Sequence, residues 1–488
     1  MKDDRSQKNG HNVRQMALST LLAVRKGGEQ SHLLIRETLD DHPEMTVQER
    51  AFYKRLVAGT LEYTLQLDYI IDAFSKTKTV HMKTVIREIL RMTVYQIRYM
   101  DSVPASAAVN EAVKIARKRG FSGLSGFVNG VLRAVVRGID GLKYPSREED
   151  PVQYLKVRYS MPEYLLNEWI GEFGFETTEK ICAGFFEKRP VTVRVRPAAG
   201  KIPDAVFREN GEESDGDAPA GLRLIKAPYA EDAYYIGSQG NIADYEEFKS
   251  GALIVQDVSS QIAVRAAGIR PGNTVLDVCA APGGKSILAA DLAGPSGHVI
   301  SRDVSEKRAE KIRENVRRCR LSNVTVQVGD ARELPGALIN NTGRADGATT
   351  GTAGAAGEDF LADVVIADVP CTGYGDIGRK PEIRYRASRE NQDELIKLQR
   401  EILAAAVRCV RPGGTLLFST CTIGRKENQD NFHWLQQEFG MKPADLTPYL
   451  SEEVLAIPGV AGTAREGYVQ LLPGVARCDG FFFSRLYK

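Results

Sequence analysis

A chain of 488 residues exceeds what one ordinary hydrophobic core organises, so two or three domains are expected. Hydrophobic residues at 43 % and charged residues at 26 % give a soluble globular balance, and no run of about 18 apolar residues is available to span a membrane. The polar segment Met1 to Gly10 lacks the apolar core of a secretory signal, which predicts a cytoplasmic protein with no membrane partner. The seven cysteines are odd in number, irregularly spaced and without a CxxC pair, so neither a disulfide framework nor a metal site is expected.

Residues 11 to about 140 predict a bundle of amphipathic helices. Val109, Ala112, Val113 and Ala116 share one helical face, as do Phe127, Val131, Ala134 and Val135, and Val85, Ile86, Ile89, Leu90 and Ile97 mark a third stripe. Pro104 sits near the start of one helix, where its missing N–H costs little. Residues 1–145 hold 23 Lys and Arg against 15 Asp and Glu, whereas the remainder is net acidic. That asymmetry suggests an anionic partner for the front of the chain. GLKYPSREEDP (141–151) reads as a linker. A mixed α/β segment of 150–250 follows, with a helix over Pro162 to Phe173 and a strand over Val191 to Val195 that puts Arg194 and Arg196 on one side. Residues 199–221, rich in Gly, Asp and Glu, predict a long surface loop.

From residue 251 to 488 short β-branched runs alternate with helical stretches, the pattern of βαβ units around a mostly parallel sheet. The strands predicted are Thr274–Cys279, His298–Asp303, Val324–Val328, Asp363–Asp368 and Thr415–Ser419. The Gly, Ala and Thr-rich stretch 335–360 reads as a disordered insertion.

The sharpest motif is VLDVCAAPGGKS, Val275 to Ser286: a strand, a Gly/Pro loop and a helix start. Ligands of open α/β sheets bind at the carboxyl ends of strands, where Cys279, Ala280, Ala281, Pro282, Gly283, Gly284 and Lys285 fall. Asp303 ends the second strand, Asp330 follows the third and Asp368 ends the fourth. Asp303 stands where an acid commonly takes both ribose hydroxyls of a nucleoside cofactor. So many acids around one crevice suit cationic S-adenosylmethionine better than a pyrophosphate. Cys371, in DVPCTG, follows the fourth strand and Cys421, in FSTCT, follows the fifth, so both thiols and Asp368 should face one pocket. A thiolate that adds to carbon 6 of cytosine makes carbon 5 electron-rich, and a carboxyl group at the ring nitrogen offsets charge during the attack. Lys285 adds positive charge that favours a thiolate.

On CAAPGGK (Cys279 to Lys285), DxPC (Asp368 to Cys371), TC (Thr420–Cys421), QDVSSQ (Gln256 to Gln261) and DGFFFSRL (Asp479 to Leu486), the rear half resembles the RNA 5-methylcytosine methyltransferases over roughly residues 150–488. The resemblance implies a Rossmann-like class I fold using S-adenosylmethionine, with Cys421 as nucleophile and Cys371 assisting product release. VPASAAVNEAVKIAR (Val103 to Arg117) and GFVNGVLRAV (Gly126 to Val135) are similar to the helical RNA-binding domain of the NusB type. The combination resembles the bacterial enzymes that methylate 16S ribosomal RNA, and it implies a monomer acting on free RNA or an early small-subunit particle, with transfer RNA as the alternative substrate. Departures are the 335–360 insertion and Tyr374 and Asp376 after the PC motif, which are placed to touch the target loop. The domains expected are thus an all-α bundle over 1–145, a small α/β RNA-recognition segment over 150–250 and the methyltransferase over 251–488. An unstacked target cytosine needs a phosphate grip beside the pocket; Arg379, Lys380, Arg384 and Arg386, with Arg194 and Arg196, are the candidates.

Overall fold

The computed structural model describes residues 12–27, 30–188, 190–196, 222–237, 241–333 and 360–488, with the backbone of 206–208. The expected insertion (335–360), but for its last residue, and the acidic stretch near 210–218 lie outside them. Two compact units result: residues up to Phe186 joined by Ile377–Arg386, and Glu187–Asp376 with Ala387–Lys488.

The first unit contains ten α-helices before Phe186 among its described residues: α1 (Val13–Lys26), α2 (Ser31–Asp41), α3 (Val47–Glu62), α4 (Thr64–Phe74), α5 (Thr84–Tyr99), α6 (Ala105–Lys118), α7 (Ser125–Gly138), α8 (Pro151–Arg158), α9 (Glu163–Phe173) and α10 (Phe175–Gly184). Local signals set their ends. The side chain of Asn12 caps α1 by accepting Gln15 N–H, and Thr46 and Glu49 close a reciprocal capping box on α3. The predicted stripes face inward: Val109, Ala112, Ala116, Val131, Val135, Ile86, Ile89 and Leu90 are all buried with Leu21, Leu56 and Ile70. Inside this core Glu88 accepts Arg91 at 2.5 Å and Arg25 at 3.2 Å, and Arg91 also meets Asp68 at 2.5 Å. The helices α8 to α10 are grouped with this unit, so the expected 150–250 segment is divided between the two compact units.

The later segment Ile377–Arg386 completes the first unit. Glu382 accepts Ser31 N–H at 2.9 Å and Ser31 Oγ at 2.7 Å, placing an acid at the start of α2. Arg384 Nη1 donates to the carbonyls of Glu62 (3.2 Å) and Tyr159 (3.0 Å), its guanidinium 5.4 Å from the Phe186 ring centre.

The second unit contains two sheets. The smaller is formed by β1 (Thr192–Val195), β2 (Val206–Arg208), β3 (Arg223–Lys226), β4 (Ala233–Ile236) and β5 (Leu253–Val255), in the order β2-β3-β4-β1-β5. Residues 206–208, expected in a loop, form a strand parallel to β3. After α11 (Glu246–Lys249) and α12 (Val258–Ala266) the larger sheet begins: β6 (Thr274–Asp277), α13 (Gly284–Ala293), β7 (His298–Asp303), α14 (Glu306–Arg318), β8 (Val324–Val328), β9 (Ala362–Asp368), β10 (Val410–Thr420), β11 (Lys442–Pro443), β12 (Tyr468–Leu471) and β13 (Phe481–Tyr487). Its order is β11-β13-β10-β9-β6-β7-β8, with β12 on β13. The five strands from β6 to β10 pair in parallel, and β13 runs antiparallel to β10.

Period-two alternation divides the core. Val275, Val299, Val364 and Leu417 pack with Ile262 of α12, whereas Leu276, Ile300, Val365 and Leu416 pack on the opposite face with Leu403 and Phe432. The chain steps outward from β6 to β8 and returns at β9 on the other side of β6. That reversal opens a crevice at the carboxyl ends of β6 and β9. No described helix is long and apolar enough to cross a membrane.

Candidate active site

The loop leaving β6 turns sharply into α13. Gly283 takes a φ of +103°, so the turn requires glycine, and a Cβ there would press on Ile312 of α14 at 3.2 Å. Asp303, at the end of β7, holds this loop: its Oδ2 accepts Ala281 N–H at 3.2 Å and its Oδ1 accepts Ser305 N–H at 3.2 Å. A cleft of about 170 Å³ opens beside it, lined by Cys279, Ala280, Ala281, Pro282, Gly284, Lys285 and Asp368 from the predicted set, and by Gln256, Asp257 and Ser260 from the QDVSSQ motif. Gly283 and Asp303 shape the loop but do not line this cleft, and neither does Asp330. It pairs with Arg332 at 2.6 Å, which holds its carboxyl below the usual range. Asp277 faces inward, fully buried, with Oδ2 accepting Ser286 Oγ at 2.6 Å; burial pushes its carboxyl up to about 7.

Lys285 reaches from the first turn of α13 to Asp368 Oδ2 at 2.7 Å, with its ammonium 5.2 Å from the Phe481 ring centre. Burial alone would lower the lysine, but Asp368 outweighs it and the ammonium is held charged. Ser419 Oγ donates to Asp368 Oδ1 at 2.8 Å, fixing the other carboxylate oxygen.

The loops after β9 and β10 place the Cys371 and Cys421 sulfurs 3.4 Å apart. Gly375 makes this approach possible. Its N–H donates to the Cys421 carbonyl at 3.0 Å and its carbonyl accepts Gly480 N–H at 3.1 Å, and a Cβ would overlap the Gly480 carbonyl. The hydrogen bond with Cys421 and burial push the Cys371 thiol well up. Cys182, Cys319, Cys409 and Cys478 are buried elsewhere. A pair of adjacent thiols, one half-buried ammonium–carboxylate pair and a glycine-lined cleft therefore share the carboxyl edge of the parallel sheet.

The proposed phosphate grip is largely displaced. Arg194 and Arg196 do share one face of β1, but that face is covered. They are 0 % and 3 % exposed and converge on Asp291 of α13 at 2.9 and 2.7 Å, so they hold the fold and leave no guanidinium for RNA. Arg194 Nε also donates to Gln256 Oε1 at 3.2 Å, steadying a wall of the cleft. Arg384 is buried on backbone carbonyls, and Arg386 donates to the Val24 carbonyl at 3.2 Å. Tyr374 is 2 % exposed and cannot touch a target loop. Arg379 remains exposed and Lys380 half-exposed.

Sequence reasoning passed over Glu427, Gln399, Asn428 and Asn431, all fully buried beside the cysteine loops. In GRKENQDN a glutamate among charges reads as solvent-facing, and no local signal marks it as interior.

A family model described as 16S rRNA methyltransferase RsmB/F matches residues 266–487, and one described as NusB family matches residues 11–137. The "Probable ribosomal RNA small subunit methyltransferase B" of Bacillus subtilis is 34 % identical over 476 residues, 98 % of each chain. The "Ribosomal RNA small subunit methyltransferase B" of Cronobacter sakazakii is 28 % identical over 99 % of this chain and 100 % of its own. Among solved structures, the protein PH0851 aligns over 98 % of each chain with a TM-score of 0.73 and 22 % identity. A methyltransferase homologue from Pyrococcus horikoshii covers 70 % of this chain and 99 % of its own, with a TM-score of 0.52 and 22 % identity. These two support the fold.

Proposed function

Since the chain belongs to the RsmB/F family of 16S rRNA methyltransferases and carries a NusB-type helical domain, we propose that it methylates carbon 5 of a cytosine in small-subunit ribosomal RNA. The observation that carries this reading is the thiol pair 3.4 Å apart at the ends of β9 and β10, beside Lys285 and Asp368. The cleft fits S-adenosylmethionine by its donor set: backbone at Gly284 with no side chain over it, acids at Asp257 and Asp368 for a cationic ligand, and one cation, Lys285, paired with Asp368, among the lining residues. Bound there, S-adenosylmethionine supplies an electrophilic methyl group for carbon 5.

The chain's own residues carry the remaining steps. The Cys421 thiolate forms a bond to carbon 6, and the electron pair of the carbon 5–carbon 6 double bond moves into an enamine that is nucleophilic at carbon 5. Lys285 offsets the thiolate charge, and the negative charge that the attack sends to the ring nitrogen is met by the Lys285–Asp368 pair, in which Ser419 fixes the second carboxylate oxygen. Once carbon 5 carries both methyl group and proton, a base takes the proton, the carbon 6–sulfur bond breaks and its electron pair returns to Cys421, with Cys371 assisting release.

The test is a denaturing gel of wild type, Cys371→Ala and Cys421→Ala after incubation with unmodified small-subunit ribosomal RNA and labelled S-adenosylmethionine. Cys371→Ala should accumulate a slow RNA–protein adduct, and Cys421→Ala should give neither adduct nor product. Methylation by Cys421→Ala would remove it as nucleophile.

A further inference from the structure

The scheme above leaves one buried acid without a task. Glu427 follows Cys421 by six residues and is 0 % exposed. Its Oε2 accepts Thr372 N–H and Gln399 Nε2, each at 2.9 Å, and its Oε1 accepts Thr372 Oγ1 at 2.6 Å. Every one of these partners donates, an arrangement that suits a carboxylate, which only accepts. Burial pushes Glu427 up, and the donors from Thr372 and Gln399 oppose that. The same network ties both cysteine loops together. Gln399 Nε2 also donates to the Pro370 carbonyl at 2.9 Å, and Thr372 Oγ1 meets Thr422 Oγ1 at 2.8 Å. Asn428 accepts Thr420 Oγ1 at 2.6 Å and donates to the Thr422 carbonyl at 3.1 Å. The residues on both sides of Cys371 and of Cys421 are therefore fixed by one buried set of hydrogen bonds.

Charge is divided unevenly across the pair. Cys371 faces Glu427, Asp368 and the Cys421 sulfur, all of which favour its retaining a proton. Cys421 faces the Lys285 ammonium.

We propose that Glu427 is a positioning residue that clamps the Cys371 loop against the Cys421 loop and thereby decides which sulfur keeps its proton. Cys371 is kept as S–H and donates across 3.4 Å to the Cys421 sulfur, which is left as the thiolate. Cys421 loses its proton to solvent before attack. When the carbon 6–sulfur bond breaks, the electron pair returns to Cys421, and the Cys371 S–H stabilises it by hydrogen bonding with no proton transferred. This inference rests on the assignment of Cys421 as nucleophile, and its test is chosen to fail separately.

The full chain, without RNA or cofactor, is treated with iodoacetamide across pH 6–10, and the two cysteine peptides are followed by mass spectrometry. Wild type should alkylate Cys421 well before Cys371. Glu427→Gln keeps the shape and an acceptor for Thr372 N–H but removes the charge. Alkylation of Cys371 at pH 8 should then rise about ten-fold, the thiolate gained per pKa unit of lost repulsion. In steady-state methylation the same variant should lose at least about ten-fold in kcat with KM for S-adenosylmethionine unchanged. An unchanged Cys371 profile in Glu427→Gln, in protein that melts and binds S-adenosylmethionine like wild type, overturns the proposal even where methylation falls. If Glu427→Gln does not fold, the profile of Thr372→Val, which loses the Oγ1 contacts to Glu427 and Thr422 and keeps the backbone one, decides in the same way. A shifted profile in a chain that transfers no methyl group to RNA overturns the assigned reaction and leaves the proton assignment standing.

Discussion

Asp277 shows how one residue can be mistaken for part of a ligand crevice. In the sequence it is another acid at a strand end, equivalent to Asp303 and Asp368; in the fold it points into the interior against Ser286, with burial pushing it up from 3.8 to about 7. Between those values the unfolded chain has shed the proton that the folded chain keeps, so the folded state binds more protons and stability falls as pH rises through the window. Asp277→Asn carries no such penalty. Its melting temperature should match wild type near pH 4 and exceed it increasingly up to about pH 7, an advantage of at most about 4 kcal/mol. A constant difference across pH 4–8, read by differential scanning fluorimetry, would mean that Asp277 does not titrate in this range. Sequence reasoning singled out Cys371, Cys421 and Asp368 because each ends or closely follows a strand, where topology fixes the neighbours, and Lys285 because it opens the helix after the glycine loop. It passed over Glu427 and assigned Arg384 to an RNA surface because a charged residue is read as solvent-facing until its partners are known, and the partners of Arg384 lie 322 and 225 positions earlier in the chain.

At the scale of an element, β1 makes the same point. Alternation correctly placed Arg194 and Arg196 on one face, but it cannot say what lies over that face. The cover includes α13, and Asp291 on that helix takes both guanidinium groups. Removing one partner of a buried ion pair costs about 3–5 kcal/mol because the other charge is stranded. Asp291→Ala strands two, so it should destabilise the second unit by at least that much, read as a lower urea midpoint. Arg196→Lys should destabilise as well, while leaving the salt dependence of RNA binding, measured by filter retention, as in wild type. A reduced salt slope in Arg196→Lys would return this residue to the RNA surface. The strands β6 to β9 were legible within two residues, and β10 at its carboxyl end though not at its start at Val410, because β-branched runs that end at or near Asp or Ser-Thr-Cys carry both period and boundary. The strand at 206–208 was not, being three residues inside a Gly- and acid-rich stretch.

At the scale of the whole molecule, the helical unit is discontinuous in sequence. Composition marks a linker at 141–151, yet the first unit includes α8 to α10 and takes its last piece from Ile377–Arg386. A chain beginning at Glu187 would therefore contain that segment without the Ser31, Glu62 and Tyr159 groups that hold it. Trypsin should cut such a chain rapidly after Arg384, a residue 1 % exposed in the full protein, where cleavage at that bond should be slow. Equal rates in the two chains would show that the segment holds itself.

The same discontinuity sets a schedule for synthesis. Helices α1 to α10 leave the ribosome roughly 200 residues before Arg386, an interval of about 10–40 s at typical elongation rates. Through that interval the carbonyls of Glu62 and Tyr159 lack their guanidinium, and α2 lacks the carboxylate at its start. The last piece of the nascent helical unit arrives only after the β9 strand and Cys371 have been made, so the first-translated unit is completed by a segment encoded within the catalytic half.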